Sequence, residues 1–157
     1  GDAGEGAFRL ALRAGGEDDP EGFKPFAAGW QGGSCEGMAF AGDTVFAGSN
    51  RSGVLSIDTS AASPAWQPVR LDAGLPIRDT ERLLEVVETV AAGPREGQSP
   101  IVMSGGLRGV HRSLDGGRTY AQASATVFTD RIPLPPDWLY CAAPHEIAVV
   151  GDLQADG

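Results

Sequence analysis

The feature that most constrains this chain is a pattern that recurs along it. Three segments align: "DTVFAGSNRSGVLSID" (Asp43 to Asp58), "SPIVMSGGLRGVHRSLD" (Ser99 to Asp115) and "HEIAVVGDLQADG" (His145 to Gly157). Each opens on a short apolar or β-branched run and passes through a small or Gly-rich turn. The first two then resume with Gly-Val, at Gly53-Val54 and Gly109-Val110. "GEGAFRLAL" (Gly4 to Leu12) resembles the resumed half of these segments. A unit of roughly fifty residues follows, within the range of propeller-type repeats.

Within a unit the order is constant. An apolar strand comes first, at "GMAFAG" (Gly37 to Gly42), "RLLEVVETVAAG" (Arg82 to Gly93) and "WLYCAAP" (Trp138 to Pro144). Its hairpin partner and a third strand follow. A fourth strand next to an aromatic closes the unit, at Phe23 to Phe26, Trp66 to Val69 and Tyr120 to Ala123. Short strands with turn signals at regular spacing predict an all-β antiparallel meander. Radial repetition of four-stranded sheets, the β-propeller, protects their edges. The expected division is a partial blade over 1–35, blades over 36–75 and 76–130, and a partial blade over 131–157. Thr80 to Ala92 also admits a helix, with Glu81, Glu85 and Glu88 at helical spacing. The alternation of Leu84, Val86 and Val90, with the repeat register, favours a strand.

Composition fits this reading. The chain has 157 residues, of which 23 are Gly and 11 are Pro, so turns are many and long helices few. A net charge of -9 argues against nucleic acid or an anionic membrane as partner. No apolar run reaches the roughly 18 residues of a membrane span. The sequence opens without a methionine, which is expected of a processed, trimmed or partial chain.

"SLDGGRTY" (Ser113 to Tyr120) lies between the third and fourth strands of its unit. It resembles the Asp-box, or BNR motif, of sialidase-like β-propellers: Ser or Thr, any, Asp, any, Gly, any, Thr, aromatic. Ser113, Asp115, Gly117, Thr119 and Tyr120 match, with Tyr in place of the more usual Trp or Phe. "SIDTSAASPAW" (Ser56 to Trp66) is a degenerate counterpart. The physics of such a turn is local. An Asp carboxylate accepts bonds from nearby backbone N–H groups, and Gly supplies positive φ. The resemblance implies a structural box, remote from any active centre.

The resemblance also raises a glycoside hydrolase. "TDRIPLP" (Thr129 to Pro135) resembles the Arg-Ile-Pro segment that carries a carboxylate-gripping arginine in sialidases. Asp130 stands where that family has an aromatic, and the segment follows an Asp-box instead of preceding one. A Pro-rich connection between blades is the simpler reading. No cofactor or metal is expected. "GEDDPEG" (Gly16 to Gly22) lacks the alternation and closing Glu of a calcium loop. Cys35 and Cys141 are expected as free thiols, His111 as a strand residue and His145 as a surface turn residue.

Three functions therefore stand open. The first is a non-catalytic propeller that scaffolds or binds a protein partner, as accessory propellers do in large bacterial assemblies such as phage-tail-like injection machines. The second is a sialidase-like hydrolase with most catalytic residues outside this segment. The third is a carbohydrate-binding module, with Trp30 or Trp138 as an exposed platform for a glycan.

Overall fold

The structure is a computed structural model; it describes residues 22–78 and 83–123 together with the backbone of the strand at 8–9. Among the described residues every regular element is a strand. Two four-stranded antiparallel meanders dominate. The first contains β3 (Cys35–Ala41), β4 (Thr44–Ser49), β5 (Val54–Asp58) and β6 (Gln67–Pro68), in that spatial order. The second contains β9 (Thr89–Arg95), β10 (Gln98–Gly106), β11 (Gly109–Ser113) and β12 (Ala121–Gln122), again in sequence order. β1 (Phe8–Arg9) pairs with β2 (Lys24–Pro25), and β7 (Ile77–Arg78) pairs with β8 (Leu83–Leu84).

The two meanders match residue for residue. Leu55 faces Ala47 across β5 and β4, and His111 faces Ser104 across β11 and β10. Met38 faces Ala47 on the first strand, as Val90 faces Ser104. On the last strand Pro68 faces Leu55, as Gln122 faces His111. The residue before each last strand is an aromatic, Trp66 or Tyr120. Each donates its backbone N–H to an alanine carbonyl upstream of its sheet, Trp66 to Ala28 at 2.8 Å and Tyr120 to Ala73 at 2.7 Å.

Burial explains the alternation within the strands. One face of the first sheet presents Val45, Ala47, Leu55 and Ile57, which form a core with Trp66, Phe26 and Trp30. The opposite face presents Phe46 and Val54. These join Leu75, Leu84, Val87, Val90, Val102 and Tyr120 in a second core between the two sheets. Phe46 is 1 % exposed and Val102 is fully buried. Burying side chains of this size contributes about 1.5–3 kcal/mol each.

The expected strand over Arg82 to Gly93 is broken. None of residues 83–92 is helical, but Glu85 to Glu88 leave the sheet between β8 and β9. Their donors go to three places: Glu85 N–H to Pro76 O at 2.8 Å, Val87 N–H to Ser49 O at 3.0 Å, and Glu88 N–H to Gly105 O at 2.8 Å. The segment thus runs between the ends of both sheets. Gly48 and Gly106 permit it, because a Cβ at either would collide with the carbonyl oxygen of Val87 or Val86. The β7–β8 hairpin was not foreseen from the sequence. Its Arg78 ties it to the first sheet through Asn50 O at 2.9 Å.

Candidate functional site

The Ser113 to Tyr120 turn is held by a local network of side-chain to backbone and side-chain to side-chain hydrogen bonds. Ser113 is 1 % exposed at the end of β11. Its Oγ donates to Asp115 Oδ1 at 2.7 Å and accepts the Gly117 N–H at 2.8 Å. Asp115 Oδ1 also accepts the N–H groups of Arg118 at 3.0 Å and Thr119 at 2.9 Å. Asp115 Oδ2 accepts the Thr119 hydroxyl at 2.6 Å. Partial burial pushes the Asp115 carboxyl up. The bonds from Thr119, Ser113 and Arg118 outweigh it and hold the pKa at about 2. The backbone turns through Gly116 at φ 74° and Gly117 at φ 85°, where other residues are strained.

This turn also joins the sheets. The Phe46 ring of the first sheet lies under Gly117, where a Cβ would sit 3.0 Å from Phe46 Cε1. The Tyr120 ring is buried in the core between the sheets. Burial, then the nearby Asp115 charge, pushes its phenol far above the ordinary range. The five residues singled out from the sequence, Ser113, Asp115, Gly117, Thr119 and Tyr120, are therefore assembled in one place. The side-chain bonds of Ser113, Asp115 and Thr119 are directed at the turn itself, whereas the Tyr120 N–H reaches Ala73 and its buried hydroxyl has no partner among the described residues.

The counterpart in the first sheet is weaker for a reason of register. Ile57 occupies the position of Ser113, and Asp58 falls one residue before that of Asp115. Asp58 Oδ1 accepts from Ser60, N–H at 2.9 Å and hydroxyl at 2.6 Å, and the Asp58 carboxylate has a further backbone contact with Ala61.

A second cluster lies at the other end of the second sheet. Ser104, His111, Glu85 and Arg108 line a cavity of about 10 Å³, room for about one water. Ser104 Oγ is buried with no partner among the described residues. Burial lowers the pKa of His111, against an opposing bond to the Gly109 backbone. Glu85 is engaged by Arg78 at 3.2 Å and Arg108 at 3.7 Å. Sequence reading missed Ser104, Arg78 and Arg108 and took Glu85 only as a helical-spacing residue. The available signal was a carboxylate inside the apolar run Leu83 to Val87, which demands a partner.

A third feature is an open groove of about 480 Å³ between the Gly116 to Arg118 turn and strands β4, β5 and β6 of the first sheet. Phe46 and Val54 form its floor; Ser56, Asp58, Arg70 and Arg118 supply polar groups. Arg70 is held by Asp72 through two bonds of 2.8 Å.

Trp30 is not an exposed platform. Its indole N–H donates to Gly33 O at 2.9 Å, and its ring meets Trp66 edge-on at 5.1 Å. Cys35 is a free, exposed cysteine on β3. Glu17 to Glu21, Asp130, Arg131, Trp138, Cys141 and His145 lie outside the described residues. Among the described residues no group of three or more His, Cys, Asp or Glu could hold a metal, and no helix is long and apolar enough to cross a membrane. Comparison with protein-family models, curated proteins and solved structures returns no match.

Proposed function

We propose that this chain is part of a non-catalytic β-propeller that serves as a scaffold or protein-interaction module. Each four-stranded meander is one blade, and Ser113 to Tyr120 is an Asp-box. The observation that carries the reading is the spending of Asp115 on Ser113, Arg118 and Thr119, beside a Gly117 that caps Phe46 of the neighbouring sheet. A carboxylate so placed fixes the turn whose Gly117 rests on Phe46 of the next blade. The repeated alanine-to-aromatic bond at Trp66 and Tyr120 supports the equivalence of the blades.

The test is turnover by the protein as its source makes it. A fluorogenic sialoside and a panel of aryl glycosides are expected to remain intact. Hydrolysis lost in Arg131→Ala would overturn the scaffold reading in favour of the sialidase-like hydrolase.

The groove over Phe46 favours a carbohydrate-binding module as second reading. Its volume of about 480 Å³ falls in the range of small-ligand sites, with an apolar floor and a few polar groups. Oligosaccharide titration followed by calorimetry, with Arg118→Ala as control, decides between the two. Saturable binding lost in that variant would establish the module.

A further inference from the structure

Asp115 is followed in the chain by Gly116. An aspartyl-glycyl step is self-reactive, because glycine puts no side chain in the way of its own amide nitrogen. The Gly116 nitrogen attacks Asp115 Cγ, and water leaves with the carboxyl hydroxyl and the amide proton. The five-membered succinimide then takes water back at either carbonyl. Addition at the α-carbonyl breaks its bond to the Gly116 nitrogen, and the main chain afterwards runs through Cγ. The product is isoaspartate, an isomer of unchanged mass.

Each group that this reaction needs is engaged in the folded chain. The Gly116 N–H donates to Pro100 O at 3.1 Å. That carbonyl lies where the pairing of β9 with β10 is irregular, between Gln98 and Ile101. Gly116 also packs on this stretch: a Cβ on it would sit 3.6 Å from Pro100 Cδ and 3.7 Å from Ser99 Cβ. The carboxylate is drawn forward along the chain, onto the N–H groups of Arg118 and Thr119 and the Thr119 hydroxyl. The main chain is fixed on either side. Arg95 Nη1 donates to Leu114 O at 3.0 Å, and the Gly117 N–H reaches Ser113 Oγ at 2.8 Å. An ionised carboxylate is also a poor centre for attack. Against partial burial, the bonds from Thr119, Ser113 and Arg118 hold the pKa of this one at about 2.

We infer that Asp115-Gly116 is a latent isomerisation site that the bonds of its own turn keep closed, and that local opening of Ser113 to Tyr120 exposes it. The inference goes beyond the propeller reading and does not depend on it. Exposed turns open at lower free energy than buried strands, so opening of this segment alone sets the rate. The consequence is lasting. Isoaspartate adds one methylene to the main chain and leaves the carboxylate on Cα. The bonds to Arg118 and Thr119 are not remade in that geometry, and Gly117 loses the support that sets it over Phe46. Change at one peptide link thus loosens the contact between the two sheets. The bonds that shape the turn also preserve its covalent structure.

The experiment is prolonged incubation of the full chain at physiological temperature and mildly acid pH, folded and in guanidinium chloride, followed by tryptic mapping. Trypsin cuts after Arg112 and Arg118 and releases Ser113 to Arg118 by itself, apart from the Asp-Gly step at Asp156. Isoaspartate in that peptide is separated by chromatography and identified by electron-transfer fragmentation. The folded protein is expected to form it at least about tenfold more slowly than the unfolded chain. Thr119→Val removes the hydroxyl bond to Asp115 Oδ2 and leaves the tryptic peptide unchanged. It should speed formation in the folded protein about fivefold, the worth of one such bond. Ile57→Val trims the core on the far face of the first sheet and lowers global stability without touching the turn. Its rate should equal that of the wild type. Circular dichroism checks that both variants are folded. Equal rates in the folded and unfolded chain would overturn the inference. So would a Thr119→Val rate no faster than wild type, or a rise that Ile57→Val shares, since control would then lie in global unfolding.

Discussion

Tyr120 is bound to Ala73 backbone to backbone, its N–H reaching the Ala73 carbonyl at 2.7 Å. The next residue, Gly74, passes the Tyr120 carbonyl so closely that no Cβ would fit, and it does so at φ 95°. Gly29 stands in the same relation to Trp66, at φ 76°. In each case the entry to a sheet is stapled to the aromatic at its exit, forty or so residues on in the chain.

Gly74→Ala should therefore be among the most damaging single changes in the described region. Positive φ costs about 1–3 kcal/mol for a non-glycine residue, and steric overlap costs about as much again. Gly97 and Gly42, at φ 65° and φ 60° with open space around them, provide the comparison. Their alanine variants should lose only the backbone part, about 1 kcal/mol. Urea midpoints of the three variants check the order. Equal losses would mean that the close approach to Tyr120 contributes nothing.

Asp115 predicts an acid limb of stability. Its carboxyl titrates at about 2 in the folded protein and near the usual value of about 3.9 when unfolded. The folded pKa is the lower one, so its contribution is complete above about pH 4 and is lost as pH falls toward 2. Asp115→Asn keeps the size of the side chain but cannot accept the Thr119 hydroxyl on the amide nitrogen. It should cost about 1–2 kcal/mol at neutral pH, comparable to losing a helix cap. The difference from wild type should shrink between pH 4 and 2. A constant difference across that range would show that the charge on Asp115 is not what holds the turn.

Much of this architecture was legible because strands and turns write a local code. The Gly-Val step at Gly53 and Gly109 marked the start of a third strand in both sheets, and the aromatic at Trp66 and Tyr120 marked the fourth. The turn at Asp115 was readable because the bonds of the Asp115 carboxylate go only to Ser113, Arg118 and Thr119, close by in the chain. What the sequence hid was non-local. Val86 and Val87 look like strand residues by type, yet their backbone is claimed by Ser49 and shaped by Gly48 and Gly106 on two different sheets. The Arg78, Glu85 and Arg108 cluster joins three segments that no spacing rule connects. The groove over Phe46 exists only because a turn of one sheet overhangs the other.

His111 stands where the first sheet has Leu55, and it is 7 % exposed. Burial lowers its pKa below the usual value of about 6.5, with the Gly109 backbone bond opposing. The folded protein thus binds a proton less readily than the unfolded chain. Stability from this group is complete above about pH 6.5 and falls as pH drops below it. His111→Leu, copying the first sheet, should flatten stability between about pH 6.5 and 5. Chemical denaturation at half-unit pH steps reads the slope. An unchanged slope would show that His111 is free to charge within the fold.

Ser104 gives the sharpest test of how the repeat distributes its polar groups. It faces His111 where Ala47 faces Leu55, it is 1 % exposed, and its Oγ has no partner among the described residues. A buried hydroxyl without a bond costs about 1–3 kcal/mol of desolvation, whereas alanine at the same place costs only the small volume removed. Ser104→Ala should therefore raise the urea midpoint, by about 1 kcal/mol in stability, with the slope unchanged. The adjoining cavity of about 10 Å³ supplies the opposite outcome. If a bound water bridges Ser104 to the His111 side of that cavity, alanine strands the water and stability falls instead. A rise identifies Ser104 as a polar replacement the core merely tolerates; a fall identifies it as one arm of a buried, water-linked pair with His111.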